Sequence, residues 1–118
     1  MTMLVLFMVA AASAQIPVVH GVLKAHVPDR VPVGEDVVLE LSVPDREAVV
    51  HAECTSGEAR TVYDSELLPA GEPARVVLRV EGATTATCLL VARFANGLSE
   101  RRQETFSWTW VEPATPEP

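Results

Sequence analysis

The chain has 118 residues, enough for one domain with short tails, and its 48% hydrophobic and 21% charged residues make it too apolar for intrinsic disorder. Nine Lys plus Arg stand against 16 Asp plus Glu, a formal charge of −7. That balance argues against a general nucleic-acid binder, because affinity for phosphate needs clustered positive charge, and it disfavours electrostatic docking on anionic membranes.

Met1 to Ala12 is almost wholly apolar and runs into Ala12-Ser13-Ala14, a small-x-small pattern. Residues 1–14 therefore read as a secretory signal cleaved after Ala14, with Gln15 as the new N-terminus. The run is shorter than the ~20 residues of a membrane span, so no span is expected. The competing reading is a buried N-terminal strand, and no Lys or Arg precedes the apolar stretch. Residues 15–112 would be the folded domain. Pro113 to Pro118 has three prolines and no large apolar group, the composition of a disordered tail.

Turn signals cut the body every ~12 residues, with Val-rich alternating runs between them, the spacing of an antiparallel sandwich. The first run is Val18 to Val27, ended by Pro28 and Pro32, neither of which can donate to a ladder. Gly34 leads into Val37 to Val43, where Val37, Leu39, Leu41 and Val43 share one face, the cleanest strand pattern in the chain. After Pro44-Asp45 comes the third run, Ala48 to Cys54. Val50, Ala52 and Cys54 point one way, and Val49, His51 and Glu53 the other. Arg60 to Leu67 follows Ser56-Gly57 and is more polar, as an edge strand would be. Leu68-Pro69-Ala70-Gly71 is a turn with Pro and Gly in favoured places.

The fifth run, Ala74 to Val80, sends Val76, Leu78 and Val80 inward and Arg75 and Arg79 outward, and Gly82 ends it. Thr85 to Ala95 and Leu98 to Val111 are joined by Asn96-Gly97, the strongest short-range hairpin signal, because both residues tolerate positive φ. Seven strands with no convincing helix predict an all-β, seven-stranded antiparallel sandwich. Three places carry a resemblance. They are Val33-Gly34-Glu35-Asp36-Val37 entering the second run, Leu68-Pro69-Ala70-Gly71-Glu72 entering the fifth, and the last hairpin. At these the chain resembles immunoglobulin-like or fibronectin type III-like modules, such as bacterial extracellular ones. True immunoglobulin domains pair cysteines on the second and sixth strands around a Trp on the third. Here the second run has no Cys and the third no Trp. The resemblance implies an immunoglobulin-like β-sandwich and a binding or structural role, and carries over no active residue.

Cys54 and Cys88 are the only cysteines, an even count that suggests a disulfide in an exported chain. In a sandwich of the implied order the third and sixth strands are antiparallel neighbours, so the two positions meet. The competing reading is two buried free thiols. Neither thiol shares a face with a His, which makes a Cys nucleophile a poor alternative.

The last run poses a parity conflict. A two-residue turn at Asn96-Gly97 sets Ala95 opposite Leu98, Arg93 opposite Glu100 and Thr87 opposite Phe106. Phe106, Trp108 and Trp110 then lie on the face opposite Cys88, Leu90 and Phe94. A β-bulge near Arg101-Arg102-Gln103 would turn the aromatics inward, where a core with few aromatics needs them. Alternatively the register holds, and Trp108 and Trp110 form an exposed stripe for a sugar or protein.

His20 and His26 lie ~20 Å apart along an extended chain and cannot share a metal. His51 and Glu53 could supply two ligands, but no third is evident. Arg101-Arg102 reads as a solvated basic spot. The sequence has neither a Gly-rich phosphate loop nor a Gly-x-Ser-x-Gly elbow. No cofactor, metal or catalytic residue is therefore expected. The reading is a secreted or periplasmic, non-enzymatic module for protein interaction or envelope structure, its partner reached through a strand edge or the last hairpin. A carbohydrate-binding module and an enzyme inhibitor or accessory domain are the rivals. A concave pocket holding His51, Glu53 and another polar group would revive an enzyme.

Overall fold

The alternation seen in the sequence is translated into burial residue by residue. Val37, Leu39 and Leu41 are fully buried while Val38, Glu40 and Ser42 between them are partly exposed, because successive side chains of a strand leave opposite faces. The computed structural model describes residues 22–113, so the signal reading, the segment Val18 to Gly21 and residues 114–118 lie outside the described residues. Within them every regular element is a strand: β1 (Lys24–His26), β2 (Arg30–Pro32), β3 (Val37–Ser42), β4 (Ala48–Ser56), β5 (Ala59–Asp64), β6 (Ala74–Leu78), β7 (Thr85–Phe94), β8 (Ser99–Ser107) and β9 (Thr109–Val111).

The strands form a three-stranded sheet in the order β1-β3-β6, a four-stranded sheet β5-β4-β7-β8, and a parallel pair β2-β9. The two larger sheets share one buried cluster. Leu39, Leu41 and Val76 come from the first, and Val50, Leu90 and Phe106 from the second. Each such side chain stabilises the fold by roughly 1.5–3 kcal/mol on leaving water. The edges are tied as well. Arg79 N donates to Thr61 Oγ1 on the β5–β6 side, and Glu100 of β8 accepts from the backbone N–H of Val22 and Leu23 on the other.

Among the described residues nine strands replace the expected seven, and not all are antiparallel. Pro28 and Asp29 break the first run, so that β2 leaves the first sheet and pairs with β9, beside the second. Pro32 is tolerated there because β2 has one neighbour only, and the next donor, Val33 N, reaches Val111 O. The last run divides at Trp108, whose N–H turns to Thr84 O while that of Thr109 bonds Asp29 O.

The parity conflict is resolved by the turn, not by a bulge. Phe94 N bonds Leu98 O and Gly97 N bonds Phe94 O, giving a three-residue loop whose Gly97 has φ 88°. The left-handed last position is what such a loop requires and what glycine supplies. The whole ladder moves by one residue: Ala86 opposes Phe106, Cys88 opposes Glu104, Leu90 opposes Arg102, and Arg93 opposes Ser99 instead of Glu100. Pairing is continuous through Arg101, Arg102 and Gln103. Phe106 and Trp108 face the core, and the same shift turns Glu100, Arg102 and Glu104 inward. Only Arg101 of the basic pair is fully solvated, since Arg102 is bonded to Glu100, Glu104 and Leu23 O.

Candidate functional site

Cys54 of β4 and Cys88 of β7 are directly opposite in the ladder, with Cα atoms 4.0 Å apart, and they are joined as a disulfide. Both lie in the core, so the bond staples two neighbouring strands of one sheet from the inner face.

On the outer face of that sheet His51 stands between two carboxylates. Its Nδ1 is 2.6 Å from Asp64 Oδ1 and its Nε2 2.9 Å from Glu53 Oε2, while Arg60 donates to Glu53 Oε1 at 3.0 Å. The shared face of His51 and Glu53 follows from their two-residue spacing. The part played by Asp64 follows from β4–β5 register, which pairs it with His51 and which sequence does not display. The two carboxylates engage opposite nitrogens of one imidazole, so their oxygens diverge. Among the described residues no three His, Cys, Asp or Glu groups are placed to hold a metal. None of the described clefts includes His51. His26 is exposed on β1, and His20 lies outside the described residues.

The bonds from Glu53 and then Asp64 hold the His51 pKa above its ordinary 6.5, and those from His51 and Arg60 hold Glu53 below its ordinary 4.5. A raised His pKa adds stability that is complete below 6.5 and is lost as pH rises through the folded value. A lowered Glu pKa adds stability that is complete above 4.5 and is lost on acidification. Both are present together between about pH 5 and 6. The stability difference between wild type and His51→Asn, from urea unfolding at a series of pH values, is expected to peak in that window and shrink towards pH 9. A difference that stays level with pH would mean that the bonded imidazolium is not what the fold favours.

The aromatic pair meets a different fate from the exposed stripe. Trp108 is only 4% exposed, so Trp108 and Trp110 do not form a side-by-side surface platform. Trp110 is partly exposed and held on two sides. Its ring lies edge-on to Trp108, centroids 6.4 Å apart at 88°, and its Nε1–H donates to Ala83 O at 2.9 Å and Gly82 O at 3.2 Å. These carbonyls are presented by a turn in which Glu81 (φ 49°) and Gly82 (φ 83°) are both left-handed. For Glu81 that conformation costs on the order of 1 kcal/mol.

Trp110 lines an open cleft of about 470 Å³ with Val33, Gly34 and Glu35 of the β2–β3 turn and Val80 and Gly82 of the β6–β7 turn. A Cβ at either glycine would meet nothing within 4 Å. The lining is mainly apolar, and Glu35 is the one ionisable residue among those that form it. In the sequence Val33-Gly34-Glu35-Asp36 reads as turn chemistry alone. Its convergence with Trp110 depends on β2–β9 pairing, which two short segments far apart in sequence do not announce.

Compared with known proteins, the chain matches no protein-family model and no curated protein.

Proposed function

We propose that this chain is an exported, non-enzymatic interaction module of immunoglobulin-like or fibronectin type III-like build, working in the periplasm or outside the cell with a protein as its partner. The strand order supports the architecture. Counting β1 with β2 and β8 with β9 as halves of two broken strands leaves seven, in facing sheets of three and four. A disulfide bond persists in oxidising compartments, which supports export. No helix of the described residues is long and apolar enough to cross a membrane.

The observation that carries the interaction reading is the Trp110 cleft. It is concave, apolar and anchored on a fixed aromatic ring, the features of a small recognition site. The free edge of β8 is a weaker candidate, because Glu100, Arg102 and Glu104 point inward along it, a device that discourages addition of another strand. A sugar platform of two indoles side by side is less well supported, because Trp108 is interior and only Trp110 is partly exposed.

Residues 15–118, immobilised and exposed to a cell-envelope fraction, are expected to retain a protein that Val33→Lys in the cleft wall no longer retains. Val33 is 56% exposed, so the charge perturbs the surface and not the core. Equal recovery by both forms would remove the cleft as the interface.

A further inference from the structure

We infer that the Trp110 cleft takes a cationic side chain, Arg or Lys, presented by an extended segment of the partner protein. The inference rests on the interaction-module reading and names the chemistry of its ligand. The indole N–H is already committed to the Gly82 and Ala83 carbonyls. What Trp110 offers a ligand is its carbon framework, whose π-face attracts cations. Val33 and Val80 supply apolar walls of the kind along which an aliphatic stem packs, and Glu35, exposed on the same rim, is the residue whose carboxylate would meet its charged head. A neutral sugar finds little here, since a mainly apolar lining with one carboxylate leaves most hydroxyls unpartnered.

The surroundings have the complementary sign. Glu35 and Asp36 on the β2–β3 turn, Glu81 on the β6–β7 turn and Glu112 after β9 are all exposed, and Arg79 is the one cation on these segments. None of the four carboxylates is in an ion pair among the described residues. Such a field draws a basic segment to this end of the sandwich and weakens with salt.

The test is a titration of ¹⁵N-labelled residues 15–118 with a capped Gly-Gly-Arg-Gly-Gly peptide and with its citrulline counterpart, which keeps the shape and removes the charge. Saturable shifts are expected at the Gly34 and Gly82 amides and at the Trp110 indole N–H, with the citrulline peptide about fivefold weaker. Glu35→Gln, a change on an exposed turn that leaves the core intact, is expected to weaken the Arg peptide about as much. Equal titration by the two peptides, or a folded spectrum with no shift at these three sites, overturns the inference. If the Arg peptide fails while Val33→Lys still abolishes capture of the partner, the cationic ligand is wrong and the interaction module stands. If Val33→Lys has no effect either, both readings of the cleft fall.

Discussion

Replacing both Cys54 and Cys88 by Ala is expected to lower the unfolding free energy by about 4 kcal/mol. The bond closes a loop with a sequence separation of 34, and tying the ends of such a loop removes conformations mainly from the unfolded chain. For a domain of this size the loss corresponds to a fall of roughly 15–30 °C in Tm. It is a large part of the 5–15 kcal/mol that ordinarily holds a domain folded, about what separates a stable module from one that unfolds in use. Urea unfolding of the oxidised, reduced and doubly substituted forms measures it. The reduced form isolates loop closure, since its sulfurs still fill the core, and the substituted form adds two small voids. A reduced protein within about 1 kcal/mol of the oxidised one would show that the staple contributes little, because the ladder already holds β4 against β7.

Glu100→Ala is the second large effect. Glu100 is 4% exposed; its Oε1 accepts from Leu23 N at 2.8 Å and Val22 N at 3.1 Å, and its Oε2 faces the Arg102 guanidinium. Truncation leaves two backbone donors without their acceptor and removes one of the three partners of Arg102, a loss of about 2–4 kcal/mol. Glu100→Gln keeps an oxygen for the backbone donors and is expected to cost less, about 1–2 kcal/mol. Glu100→Ala together with Arg102→Ala is expected to cost less than the sum of the two single losses, because the contact between the guanidinium and the carboxylate is lost only once. The comparison is read from a double-mutant cycle in urea. Additive losses from Glu100 and Arg102 would sink the idea of a coupled clasp.

The core strands are legible in the sequence because their apolar residues alternate without interruption. β3, β4, β6 and β7 begin at the positions their patterns announce and end within two residues of them. The cross-link is legible too, once strand order is supposed, since Cys54 and Cys88 each sit on the apolar face of such a strand. Less legible is anything decided by a single-residue shift. Asn96-Gly97 suggests a two-residue turn, yet Ala95 joins the loop and only Gly97 takes positive φ. That one residue decides whether Glu100 or Arg101 faces inward, and hence whether a clasp exists. β8 gives no help, because its inward Glu100, Arg102 and Glu104 and its outward Arg101, Gln103 and Thr105 are equally polar. The candidate site is hidden for a related reason. Val33, Val80 and Trp110 belong to three separated segments, and only the parallel pairing of β2 with β9 draws the first and last of them together.

That parallel pair also sets how the domain answers tension. Because β2 and β9 run in the same direction near opposite ends of the described chain, a pull on the two ends slides them past one another and loads their hydrogen bonds together, not one after the next. Should they part, extension halts at the covalent link, and the segment between residues 54 and 88 stays out of the stretched length. A domain so built resists being drawn out by its ends.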